Sequence, residues 1–68
     1  MQAYRLLTGA DDSAFCHKVT EALAKGWRLH GAPAYAHDPA SGAMRCAQAV
    51  VKDVPGRDYD PDQKLGAL

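Results

Sequence analysis

The side chains with most chemical potential are two cysteines, Cys16 and Cys46, and three histidines, His17, His30 and His37. Thiolate and imidazole are ligands for Zn²⁺, and a thiol beside an imidazole can serve as a nucleophile. The spacing argues against both uses. No C-x-x-C or H-x-x-x-H pair occurs, and the adjacent Cys16 and His17 point about 100° apart if the segment is helical. Cys16 sits beside an apolar stripe, where a free cysteine acts as a small hydrophobe. Cys46 falls within a strand pattern, where a core or subunit contact is the plainer role. Gly9-Ala10-Asp11-Asp12 precedes a helix, a generic place for an anion, but its two aspartates repel one. No catalytic, metal-binding or cofactor-binding residue is assigned, and no cofactor is expected.

The elements that would position these residues are legible from periodicity. Residues 3–8 alternate as a short strand, with Tyr4 and Leu6 on one face and Arg5 and Leu7 on the other. Asp11, Asp12 and Ser13 are competent helix N-caps. Phe15, Val19, Ala22 and Leu23 then follow helical spacing as far as Lys25, and Gly26 suits the left-handed position that ends many helices. Residues 27–36 alternate again. Trp27, Leu29, Gly31, Pro33 and Tyr35 fall on one face, and Arg28, His30, Ala32, Ala34 and Ala36 on the other. Pro33 beside Gly31 marks an edge position or a bulge. Residues 37–42 form a turn cluster, and 43–54 a last, long strand. The expected fold is α+β: a single helix packed on a three-stranded, largely antiparallel sheet, in the order strand-helix-strand-strand. Residues 1–54 form the compact domain, and 55–68, rich in Pro, Gly and Asp, are expected to be a mobile tail.

Composition narrows the function. Eight basic and eight acidic residues give a formal net charge of zero. Arg5, Lys18, Lys25, Arg28, Arg45 and Lys52 are scattered singly, so no basic stripe is visible and nucleic acid is not an expected partner, although a fold can gather scattered charges. No stretch approaches the roughly 20 apolar residues of a membrane span. The first residues lack the apolar run of a secretory signal, so a cytoplasmic protein with reduced thiols is expected.

Three blocks carry a resemblance: Y-x-L-L-T-G from Tyr4, F-C-H-x-V-x-E-A-L-x-x-G-W-x-L-x-G-x-P from Phe15, and M-R-C-A-Q-A-V-V-K from Met44. Content and spacing together resemble a small bacterial and phage family catalogued as a domain of unknown function, number 1737. The resemblance runs from Tyr4 to Lys52. It implies a short stand-alone domain or a module at the end of a longer chain, and no catalytic residues to carry over.

One helix covers only one face of a three-stranded sheet, and an antiparallel sheet leaves its second face in water when that face is polar. Neither face is polar here. One carries Trp27, Leu29, Met44, Cys46 and Val50. The other carries Ala32, Ala34, Ala36, Ala47, Ala49 and Val51, with Arg28, His30 and Arg45. Either face could seat the helix. The expectation is a non-catalytic, self-associating interaction or regulatory module, most simply a two-fold dimer, with room for a protein partner. The alternative is a small ligand-binding or catalytic protein whose site forms between subunits. Arg28, His30, Tyr35, Arg45 and Cys46 are the candidate interface or ligand contacts.

Overall fold

Asp12 starts the helix. In the computed structural model, which describes Met1–Leu68, its backbone is extended and its side chain accepts a hydrogen bond from the Phe15 amide at 3.2 Å. Of the three candidate caps it is the one used, and it satisfies an amide that has no partner within the helix. Helix α1 (Ser13–Ala24) ends as the glycine foretells. Gly26 adopts φ +94°, a conformation that costs a residue with a Cβ far more. This turns the chain so that the Gly26 amide donates to the Leu23 carbonyl and the Trp27 amide to the Ala22 carbonyl, both at 3.1 Å. These two bonds are a Schellman closure. Trp27 and Ala22, which the closure brings together, are both buried.

Strands β1 (Gln2–Ala10), β2 (Arg28–Asp38) and β3 (Ala43–Asp53) form one antiparallel sheet in the order β1-β3-β2. The fold is therefore α+β, with strand, helix, strand, strand along the chain. The longest-range pairing puts the last strand in the middle. β1 is longer than the 3–8 read from periodicity, because the ladder to β3 continues through Gly9 opposite Cys46 and Ala10 opposite Arg45. Gly9 does not break the strand. It makes room for the helix, since a Cβ there would lie 3.3 Å from the Phe15 ring. β2 likewise runs on to Asp38, because His37 and Asp38 pair with Met44 and Ala43. The connecting loop is Pro39–Gly42 rather than 37–42.

The bulge marked by Gly31 and Pro33 is present. Between His30 and Ala34, β2 has three residues where β3 has Gln48 alone. The surplus of two keeps the alternation in phase, so Leu29 and Tyr35 stay on one face. The buried Gln48 side chain fastens the irregularity, donating to the carbonyls of Gly31 at 3.2 Å and Ala49 at 2.9 Å.

The helix takes the Trp27 side of the sheet and lies mainly over β1. Ala3, Leu7, Ala22, Trp27 and Val50 form the core, with Phe15, Val19, Val54 and Leu68 packed around it. Leu23, expected in the helix stripe, is 42% exposed. The stripe centres on Phe15, Val19 and Ala22, and Leu23 falls at its margin. Beyond β3, Met1 and Val54 exchange main-chain hydrogen bonds at 2.7 and 2.8 Å. A short 3-10 turn, Leu65–Ala67, then brings Leu68 onto the core.

Trp27 is 2% exposed and is the largest core side chain. Truncating a buried aromatic costs about 3–5 kcal/mol, which matches the whole net stability, about 3–5 kcal/mol, of a core this size. Trp27→Ala is expected to be unfolded at 25 °C, with no cooperative melt by circular dichroism, whereas Tyr59→Ala, at an exposed position, retains the wild-type melt.

Candidate functional site

Residues directly opposite in the ladder share a face, so the register assigns every side chain to one side of the sheet. Opposite the helix lie Arg28 facing Val51, His30 facing Ala49, Ala34 facing Ala47 and Ala36 facing Arg45. The alanine-rich face is therefore the uncovered one. β1 adds Tyr4 beside Val51, Leu6 beside Ala49 and Thr8 beside Ala47. Tyr4 and Leu6 are 52% and 55% exposed, and they complete an apolar surface across all three strands. Their membership was not readable from the sequence, because nothing in β1 says which strand it will pair with.

The five candidate contacts divide. Arg28, His30 and Arg45 stand on the open face. Tyr35 and Cys46 face each other on the helix side of the ladder. Arg45, Tyr35 and Cys46 nonetheless border one open depression of about 390 Å³, with Thr8, Ala34, Ala36 and Ala47. Arg28 and His30 lie outside it, opposite Val51 and Ala49. The structure thus brings three of the five together and leaves two as a separate pair on the same face.

Tyr35, Arg28 and Arg45 are already engaged. The Tyr35 hydroxyl donates to the Asp11 carboxylate at 2.5 Å, and that bond, with burial and the Asp11 charge, raises the Tyr35 pKa. Partial burial first, then the nearby charges of Asp11, Cys16 and Asp12, raise the Cys46 pKa. Cys46 is therefore a neutral thiol at pH 7, the opposite of what a nucleophilic cysteine needs. Arg28 pairs with Asp53 at 3.1 Å and Arg45 with Asp38 at 3.5 Å. The first pair is solvent-exposed and the second is exposed on the arginine side, so both are weak in themselves. They mark the two ends of the alanine face with mixed charge. No group of three or more His, Cys, Asp or Glu side chains gathers where a metal ion could be held. No helix is long and apolar enough to cross a membrane.

The match to a family model spans residues 1–53, which is the whole β1-α1-β2-β3 unit. The chain belongs to the family described as Domain of unknown function (DUF1737). No curated protein and no solved structure matches it. The DUF1737 unit closes at Asp53, so all the residues of the open face lie within it and the 3-10 turn lies outside.

Two outcomes follow for this surface. Asp38 accepts hydrogen bonds from the Ala40 amide and the Ser41 hydroxyl, both at 3.0 Å. Those bonds, then Arg45, hold its pKa below the ordinary 3.8. Its contribution to the hairpin turn is present above the unfolded value and lost as pH falls through the lower folded value. An acid titration by NMR should show the Ala40 amide shifting together with the Asp38 carboxyl, at a pH below 3.8. Thiol labelling should also be ordered. Exposed Cys16 reacts first with iodoacetamide at pH 7.5, and half-buried Cys46, held protonated, reacts at least several-fold more slowly.

Proposed function

We propose that this DUF1737 domain is a self-associating interaction module of the cytoplasm, in which two copies pack their alanine faces together about a two-fold axis. The observation that carries the reading is the uncovered apolar face of the sheet. It is supported by the shape of the single chain. The accessible surface of 4728 Å² exceeds the roughly 4,200 Å² expected of a compact monomer of 7.3 kDa. The radius of gyration of 13.5 Å exceeds the roughly 11 Å expected for this length. The surplus is about 500 Å² on that scaling, the larger part of the about 800 Å² that each partner brings to a standard interface.

Packing face to face fits better than joining β2 edges. β2 is a sheet edge, but its bulge and Pro33 interrupt that edge midway, and such devices discourage strand addition. Alanines at the centre of the open face let a second sheet approach closely. Arg28 with Asp53 and Arg45 with Asp38 supply mixed charge at the rim, where reversal by a two-fold axis sets unlike charges within reach. Two unbonded cysteines suit a reducing compartment.

A second reading keeps a ligand in the depression bordered by Tyr35, Arg45 and Cys46, closed over by the second copy. The neutral Cys46 thiol favours binding over nucleophilic chemistry in that reading. Light scattering on a sizing column should give twice the 7.3 kDa chain mass at micromolar concentration. Ala49→Glu, which puts an unpaired charge at the centre of the face, should give the single-chain mass with the helix content retained. A wild-type protein that stays monomeric at 100 µM sinks the proposal (~100 µM corresponds to about −5.5 kcal/mol of association).

A further inference from the structure

The neutral total charge conceals a sorted one. Eight basic side chains face eight acidic ones in the sequence, but four of the cations gather on the helix side of the sheet. Arg5, Lys18 and Lys25 line a cleft between α1, β1 and the 3-10 turn, together with Glu21, Ala22 and Gly66. Lys52 stands behind it, donating to the Lys25 carbonyl at 2.7 Å and to the Leu68 main-chain oxygen. Glu21 is the single acidic side chain on the cleft wall. Its pair with Lys25, at 2.9 Å, is well over half exposed on the acid's side and is a weak surface contact.

Arg5 is the unusual member. It is half-buried, yet it forms no ion pair, unlike Arg28 and Arg45. Its guanidinium lies over the Trp27 ring, 5.4 Å from the centroid, and against Gly66, where a Cβ would come within 3.3 Å of Nη2. Trp27 and Gly66 thus hold a planar fork of five N–H donors in position while no acceptor of the chain takes them up. A fixed guanidinium of this kind matches the oxygens of a phosphoryl group two at a time, and lysines beside it add point charge. Lys18 is tied only to the Thr8 carbonyl, at 2.7 Å, and a carbonyl leaves its charge uncompensated. The Glu21 pKa is lowered by Lys25 and, further off, by Arg5, as expected where the local potential is positive.

The size of the cleft points to a small ligand. Its volume is about 100 Å³, well below the roughly 300 Å³ at which pockets for drug-sized ligands begin. That suits one tetrahedral oxyanion inside the cleft, with anything larger left outside it. We propose that the cleft of Arg5, Lys18 and Lys25 binds a single phosphoryl group, as inorganic phosphate or as the head of a small phosphate monoester whose remainder projects into solvent. The site lies across the sheet from the alanine face, so it is independent of self-association.

Trp27 is the sole tryptophan and reports on Arg5 directly. Its fluorescence should respond saturably to inorganic phosphate in the millimolar range, and sodium chloride at matched ionic strength should not reproduce the response. Arg5→Gln should raise the half-saturating concentration at least tenfold. Exposed Lys18→Gln, which leaves the core untouched, should raise it several-fold, so the test survives if Arg5→Gln misfolds. Glycerol phosphate separates the two sources: equal or tighter binding assigns the site to a monoester, and binding at least tenfold weaker assigns it to free phosphate. A response that is linear, that chloride reproduces, or that neither variant alters overturns the proposal.

Discussion

Trp27 joins two elements, and the rest of the arrangement follows from that. Its amide closes the helix onto the Ala22 carbonyl, and the next residue begins β2. Its ring is buried with Leu7 and Val50, one from each of the other strands. The helix must therefore lie on whichever face of the sheet Trp27 points to. Gly26 makes this possible, since the turn between helix and strand requires φ +94°, where other residues are strained. Arg5 and Lys52 stand over the same ring, 5.4 and 5.8 Å from its centroid, so charged stems rather than further apolar side chains complete the cover.

Once the helix is committed to that face, the opposite one is left without a helix or second sheet of the same chain over it. Buried residues number seven of 68, too few for the apolar side chains the chain carries. β2 has no strand on its outer side and exposes almost every residue it has. Alanine is what makes this face tolerable in a single chain and useful in a pair. Each methyl loses little by meeting water, while a row of them presents a flat surface onto which another layer can settle.

Charge is distributed by the same geometry. The helix carries Lys18 and Lys25 on the margin nearest β1, and alternation brings Arg5 and Lys52 to the same side of the sheet. Most acids lie elsewhere: Asp11 and Asp12 at the helix start, Asp38 and Asp53 at the ends of the hairpin. A chain without net charge thereby gains a locally positive cleft, and fields of this kind arise from placement rather than totals.

The element types were legible because each rests on local rules. Asp12 caps its own helix, Gly26 ends it, and the alternation of residues 27–36 and 43–54 states two faces without reference to anything distant. The family was legible too, from three blocks whose spacing those same elements dictate. Strand ends were less so. Gly9 and His37 look like breaks in isolation, and only the ladder to β3 holds them in strands, since a paired backbone overrides a weak local preference. Which face the helix takes, that β3 lies between the other two strands, and that three scattered cations line one cleft were decided by tertiary structure alone. Those outcomes depend on contacts between residues tens of positions apart, and the alternation that defines two faces is symmetric until a helix settles on one of them.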